Sequence, residues 1–320
     1  MSHDHFDGRK FFNPTGPPLQ PFTAVPRLLL TRRTPWPRSV AVTQREPPAR
    51  NGNDIVVTFI GHATFLIQTP METILTDPVF AEHAGPLGTF GPRRVRRPGI
   101  AFERLPHVSL ILLSHNHYDH CDRRALHALA SRFDPAVITP LGNGRLVRST
   151  GLRRVEELDW WGTAASGAGL PITLTPAQHF SARTPFDRNR ALWGGFLLTI
   201  GERRLYFAGD TGYTTVFAEI YERGGPVDLA LLPIGAYEPR WFMQPIHMNP
   251  AEAVQAHIDL HATTSVAMHF GTFQLTPEGI DDPVRALAEA RDRRHIAADA
   301  FRTIEVGESI VLSAVRSVRL

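Results

Sequence analysis

Three imidazoles and a carboxylate fall within six residues of this chain, at His115, His117, Asp119 and His120 of the stretch Ser114-His115-Asn116-His117-Tyr118-Asp119-His120. Burying such groups one by one strips each of water without a partner, and a shared cation offsets that cost. The cluster therefore asks for a metal. An exposed, solvated His-rich loop is the alternative, but such loops rarely follow an apolar run as abruptly as this one follows residues 108–113.

One hexapeptide supplies at most four ligands, and further metal-type residues stand at equivalent places. The run 170–177 ends in Gln178-His179, the run 204–208 in Gly209-Asp210, and the run 264–268 in His269 followed by Gly271. Taken singly, His179, Asp210 and His269 read as core histidines or a turn aspartate. Four strands that each deliver such a residue at the C-terminal end instead describe a site assembled from distant loops, as layered α/β folds do. Asp77 closes the strand at 73–75 in the same way and reads as an acceptor that orients a ligand. Seven candidate ligands are too many for one tetrahedral zinc and suit two metals sharing a carboxylate.

The elements that must position these residues follow from periodicity. Residues 55–60, 64–68 and 73–75 read as a β-meander, with further strands at 137–140, 155–158 and 229–233. Helices are expected over 123–133, capped by Asp122, and over 144–149, 216–223, 250–260 and 282–294; the fourth opens on the capping box Asn249-Pro250-Ala251-Glu252. Two meander-plus-helix halves fit a four-layered αββα sandwich over residues 51–320. Residues 1–50 are rich in proline and arginine, which disfavours helix; an extended arm that wraps the domain, disordered at its tip, is expected.

Composition sets the outer bounds. The chain has 320 residues, 42% hydrophobic and 20% charged, with no apolar run near the roughly 20 residues that span a bilayer. The polar start lacks the apolar core of a secretory signal, so cytoplasm is the expected location, with peripheral membrane contact left open. The single cysteine, Cys121, excludes an internal disulfide and multi-thiolate zinc sites, and reads as packing rather than as a nucleophile. A net charge of +3 gives no reason to expect nucleic acid as a partner.

The motifs His115-Asn116-His117-Tyr118-Asp119-His120, Gln178-His179, Gly209-Asp210-Thr211-Gly212-Tyr213 and Met268-His269-Phe270-Gly271-Thr272 resemble the metallo-β-lactamase superfamily. Within it, Leu158-Asp159-Trp160-Trp161, Gly91-Pro92-Arg93-Arg94 and the string from Pro233 through Tyr237-Glu238-Pro239-Arg240-Trp241-Phe242-Met243 resemble the N-acyl-phosphatidylethanolamine-hydrolysing phospholipase D family, a likeness running from about Phe59 to Glu308. The resemblance implies the αββα fold. It also implies two Zn2+, one held by His115, His117 and His179 and the other by Asp119, His120 and His269, with Asp210 bridging; iron and manganese suit the same donors. A glutamate in place of His117 would point to a di-iron oxygen-handling site, and its absence favours hydrolysis. His62, in Gly61-His62-Ala63-Thr64, matches the family string as a structural residue or a support for a ligand.

Paired divalent cations make a nucleophile of water near pH 7, which gives Asp119 and Asp210 catalytic roles. The resemblance places Tyr118 and His247 beside the phosphodiester of a lipid substrate; His247 by itself reads as a surface-loop histidine. The segment 237–248, with Trp241, Phe242, Met243, Ile246 and Met248, reads either as an acyl-lining loop or as core. Arg93, Arg94, Arg96 and Arg97 read as a basic loop facing an anionic surface. The leading expectation is phospholipase D-type hydrolysis of N-acyl-phosphatidylethanolamine or a related glycerophospholipid to an N-acylethanolamine and a phosphatidic acid. A sugar-phosphate lactonase on the same fold is the runner-up, and a non-catalytic metal-binding scaffold the third reading. A homodimer is compatible with all three.

Overall fold

A computed structural model of the chain describes residues 4–50 and 52–313. Among the described residues fourteen strands occur: β1 (Ile55–Gly61), β2 (Thr64–Gln68), β3 (Thr73–Thr76), β4 (Leu110–Leu112), β5 (Ala136–Pro140), β6 (Val155–Leu158), β7 (Thr163–Ala165), β8 (Pro171–Thr175), β9 (Gly195–Ile200), β10 (Arg203–Phe207), β11 (Leu229–Pro233), β12 (Thr264–Met268), β13 (Phe301–Arg302) and β14 (Ser309–Leu312). They form two seven-stranded sheets, ordered β14-β1-β2-β3-β4-β5-β6 and β13-β12-β11-β10-β9-β8-β7. Each sheet joins an antiparallel meander to a parallel half. β1 to β3 and β7 to β10 are the meanders, while β3 to β6 and β10 to β13 run parallel.

The helices are α1 (Val25–Leu29), α2 (Arg123–Arg132), α3 (Gly144–Arg148), α4 (Val216–Gly224), α5 (Arg240–Met243), α6 (Pro250–Asp259) and α7 (Asp282–Arg293). Leu126 and Leu129 of α2 and Val147 of α3 pack with Leu66, Leu75, Ile111 and Val137 on one face of the first sheet. The opposite face, with Phe59, Phe65, Ile67 and Leu112, shares a core with Leu174, Phe196 and Phe207 of the second sheet, and that core extends to Phe217 of α4, Val254 of α6 and Leu287 of α7. Strands covered on both faces read as continuous apolar runs, as Leu229–Pro233 does, every residue of it buried. The result is the expected αββα sandwich. α2 starts where Asp122 accepts from the backbone N–H groups of Arg124 and Ala125, and α6 opens on the expected capping box of Asn249 and Glu252.

Three local expectations are corrected. The proline-rich arm is not extended throughout: Phe22–Ala24 is a 3-10 turn leading into α1, because Pro26 sits in the first turn, where its missing N–H and fixed φ cost nothing. Its expected disordered tip falls on residues 1–3, which lie outside the described residues. The segment 237–248 contains the short helix α5. The four arginines do not all face solvent, since Arg94 donates to the carbonyls of Ala81 and Val79 and lies over the Phe273 ring, and Arg96 donates to the carbonyl of Gly271. Only Arg93 and Arg97 are exposed, because the carbonyls left free by the surrounding turns recruit the other two.

The arm is tied to the sandwich at several points. Asn13 Nδ2 donates to the carbonyl of His179, Gln178 Nε2 to that of Pro17, and Trp36 Nε1 to that of Glu278.

Candidate metal centre

The strand ends meet at one point. β4 delivers the His115–His120 stretch, β8 is followed by His179, β10 by Asp210 and β12 by His269. The same edge carries His62 after β1 and Asp77 after β3. These connections are tight: His62, Asp77 and His269 have φ of 58°, 31° and 60°, in the left-handed region that side-chain-bearing residues adopt at a cost of about 1–3 kcal/mol. A register shift between Phe59 and Gly61 in the β1–β2 pairing turns His62 toward the cluster. Gly209 has φ of 60° and no room for a side chain, since a Cβ there would meet Ser114 Cβ at 2.8 Å.

Asp210 Oδ2 is the hub. It lies 3.1 Å from His120 Nε2, 3.2 Å from His269 Nε2, 3.7 Å from His179 Nε2 and 3.9 Å from His115 Nε2. Asp119 Oδ2 stands 3.4 Å from His269 Nε2, 3.6 Å from His120 Nε2 and 3.0 Å from His62 Nε2. Two donor sets result. His115, His117, His179 and Asp210 form one and His62, Asp119, His120 and His269 the other, each with its ligand atoms within 4.8 Å of one another. His247 joins Asp210 and His269 in a third grouping of the same kind.

Supporting hydrogen bonds aim the rings. Asp77 accepts from the backbone N–H and hydroxyl of Ser114 at 2.7 and 2.6 Å and pairs with His120 Nδ1 at 2.6 Å. Ser114 Oγ in turn lies 2.9 Å from His115 Nδ1, and His179 Nδ1 lies 2.9 Å from the carbonyl oxygen of Ile246. With Nδ1 so engaged, His120 and His179 present Nε2 to the centre, the arrangement found around metal-bound imidazoles.

Electrostatics agree with cation binding. Burial pushes His62 and His117 down to about 3 and His179 to about 4, and holds His115 well below its ordinary value. These rings are neutral and carry the lone pair a metal needs. Burial opposes ionisation of Asp119 and Asp210, yet the neighbouring imidazoles, His120 first, hold both carboxyls well below the usual range. Burial also opposes charge on His120 and His269, but Asp210 and Asp119 outweigh it, raising His120 well above its usual value and His269 to about 9. These protons are the positive charge that a bound cation would replace. His120 Nε2, His269 Nε2 and Asp210 Oδ1 are buried without a hydrogen-bond partner, and donors left in that state suit a metal.

All seven expected ligand residues thus converge. His247, which the resemblance puts beside the substrate and which by itself reads as a surface-loop histidine, is buried next to them, its ring 5.1 Å from that of His179 and its Nδ1 unpartnered. Tyr118 stands at the rim, its hydroxyl donating to the carbonyl of Arg183 and its ring under the Arg183 guanidinium. Two clefts open beside it. An apolar one of about 390 Å³ reaches His117 between Leu19 and Val25 of the arm, Phe180, Phe242 and Ile246. A basic one of about 500 Å³ runs past Tyr118 to His83, Arg123, Arg124 and His127, and Arg183 lines both. Sequence reasoning missed Phe180 and Arg183; their place within the few residues that follow His179 is the signal that could have found them.

Residues 72–270 match the family described as beta-lactamase superfamily domain. The chain is 40% identical over 247 residues to an uncharacterized protein of Mycobacterium bovis, a match covering 76% of this chain and 65% of the relative's length. It is 38% identical over 267 residues to N-acyl-phosphatidylethanolamine-hydrolyzing phospholipase D 1 of Caenorhabditis elegans, covering 79% of this chain and 75% of that protein. Among solved structures, an isothiocyanate hydrolase from Delia radicum gut bacteria superposes with a TM-score of 0.65 at 25% identity, covering 81% of this chain and all of the other.

Proposed function

The chain belongs to the beta-lactamase superfamily, and from that premise we propose that it is a dinuclear, zinc-dependent phosphodiesterase that cleaves N-acyl-phosphatidylethanolamine or a related glycerophospholipid in the manner of a phospholipase D. The residues present fit two ions. His115, His117 and His179 would hold one, Asp119, His120 and His269 the other, and Asp210, with one oxygen within 4 Å of imidazoles from both sets, would bridge them. When bound, such a pair supplies a water of lowered pKa and neutralises charge on phosphodiester oxygens.

The chain's own residues supply the rest. Asp77 and the Ile246 carbonyl hold His120 and His179 in the tautomer that offers Nε2. His247, neutral because burial holds it well below its ordinary value, offers a hydrogen bond to a substrate oxygen from a wall next to Asp210. Tyr118 and Arg183 stand at the rim; Arg183 Nη1 donates to the carbonyls of Asn116 and Cys121, and the rest of its guanidinium, stacked on the Tyr118 ring, can meet a phosphate oxygen.

The observation that carries the lipid reading is the apolar cleft that His117 helps to line. A polar sugar phosphate gains nothing from Phe180, Phe242 and Ile246, whereas each buried acyl methylene contributes about 0.8 kcal/mol. The relatives in nematode and yeast named as N-acyl-phosphatidylethanolamine-hydrolyzing phospholipases D support the same choice. Mass spectrometry of products from a phospholipid panel run beside a lactone panel tests it. Expected are an N-acylethanolamine and a phosphatidic acid, with rates that fall as acyl chains shorten. Turnover of lactones and of no diacyl phospholipid would overturn it in favour of the lactonase.

A further inference from the structure

Large apolar side chains stand in solvent beside both clefts, and one more stands in the loop that borders the basic one. Leu87 is 69% exposed, Phe90 64% and Phe186 84%. Leu87 lines the basic cleft, and Phe186 follows Pro185, which lines the apolar one. The clefts meet at Arg183, which lines both, and the apolar one reaches the ligand residue His117.

These tips are held out by rigid supports. Ala84 N–H donates to the carbonyl of Pro92 and Gly88 N–H to that of Gly85, closing the loop at its base and within its turn. A Cβ on Gly85 would lie 2.1 Å from the carbonyl oxygen of Phe90, and one on Gly91 2.4 Å from that of Ala84, so the two sides of the loop touch through their backbones. Leu87 itself has φ of 58°, a conformation leucine rarely adopts, and its side chain gains no burial in return. The second support is the turn before Phe186, where Asp187 Oδ1 accepts from the N–H groups of Arg183 and Thr184. A stiff loop that holds leucine and phenylalanine in water runs against folding stability alone and points to a partner that buries them.

The charge around the tips says which partner. Arg93 at the loop base and Arg123 and Arg124 along the basic cleft are exposed. Asp122, the one acid in that cleft's lining, is buried, its oxygens taken by the N–H groups of Phe80, Ala81, Arg124 and Ala125. The rim is therefore apolar at its points and positive behind them. Separate tips standing around two openings match a fluid surface better than a single complementary protein patch.

We infer that Leu87, Phe90 and Phe186 insert into the interfacial zone of an anionic bilayer, with Arg93, Arg123 and Arg124 against its headgroups, so that both clefts open onto lipid. The inference rests on the lipid reading above, and its test separates the two. The metal-loaded full chain is sedimented with vesicles of phosphatidylcholine alone and of phosphatidylcholine mixed with phosphatidylglycerol. Preference for the anionic vesicles is expected, weakened by salt. Leu87→Ser, Phe90→Ser and Phe186→Ser should each weaken binding about tenfold, the scale of one buried apolar side chain. The triple variant should lose turnover of vesicle lipid, whereas Phe90→Ser/Phe186→Ser, which leaves both cleft linings intact, should keep turnover of a monomeric short-chain substrate. Binding that ignores both the triple variant and Arg123→Glu/Arg124→Glu overturns the inference. So does a vesicle-free dimer that the triple variant dissolves, which would assign the tips to a second copy of the chain. Vesicle binding that depends on the tips without any phospholipid cleavage leaves the docking standing and overturns the substrate reading instead.

Discussion

Replacing Asp77 with asparagine should uncouple metal affinity from fold. Asp77 is fully buried and accepts the backbone N–H and hydroxyl of Ser114 while its Oδ2 pairs with His120 Nδ1 at 2.6 Å. The amide keeps the shape and one acceptor oxygen, which the Ser114 N–H can retain. Its NH2 then faces His120 Nδ1, two donors cannot meet, and His120 changes tautomer, turning Nε2–H toward Asp210 where a lone pair is needed. Losing such an orienting partner weakens metal affinity about 10–100-fold, or about 1.4–2.7 kcal/mol. A competitive chelator titration measures that difference, and denaturant unfolding of the chelated protein measures any separate cost to the fold. Ser114→Ala is the control, since it removes the contact to His115 and leaves the His120 pairing in place. An Asp77→Asn protein that binds both metals as tightly as the parent would refute the reasoning, whatever its activity.

Asp210→Asn should lose one of about two bound metals and about 10²–10³-fold in kcat, as metal analysis beside kinetics would show. Arg94→Ala should cost about 2–4 kcal/mol in denaturant unfolding because it strands the carbonyls of Val79 and Ala81, whereas Arg93→Ala should stay within about 0.5 kcal/mol. Cys121 is fully buried and its thiol is pushed up to about 11 by burial, so near pH 8 only about one molecule in a thousand carries the thiolate. Iodoacetamide should leave it unmodified in the folded protein and alkylate it in denaturant; rapid labelling under native conditions would show that the pocket around it opens.

Much of the fold was legible because its strands carry their own boundaries. Thr264–Met268 and Leu229–Pro233 fall where the apolar runs and their flanking turn residues put them. What escaped notice was less marked. Gly195–Ile200 begins with glycine and lacks alternation, and the edge strands Thr163–Ala165 and Phe301–Arg302 are too short to show a period. The edge strand Ser309–Leu312 pairs with β1 across some 250 residues of chain, a contact that no local pattern announces. In the basic loop, composition made four arginines equivalent. Which of them turn inward depends on carbonyls of residues 79, 81 and 271 that only the folded chain brings near.

The centre and its clefts differ in legibility for a physical reason. A metal demands particular donors, and the strand-end rule places them, so His115, His179, Asp210 and His269 announce themselves by type and position together. A cleft for acyl chains demands only apolar volume, which any segment can supply. Here its walls come from residues 19–25, 180–188 and 242–246, stretches that share no period and, in the first case, looked like a loose arm. His62 falls between the two. Its type fits a donor, and it follows a strand, but the shift in β1 pairing and the left-handed turn that bring its Nε2 within 3.0 Å of Asp119 are properties of register. Its backbone carbonyl accepts from the N–H of His269 and its N–H donates to Thr272 Oγ1, so the two strained strand ends hold each other in place. The geometry of the second donor set is thereby fixed by main chain that neither strand could hold alone, and substitutions at Thr272 belong with those at the ligands when the centre is dissected.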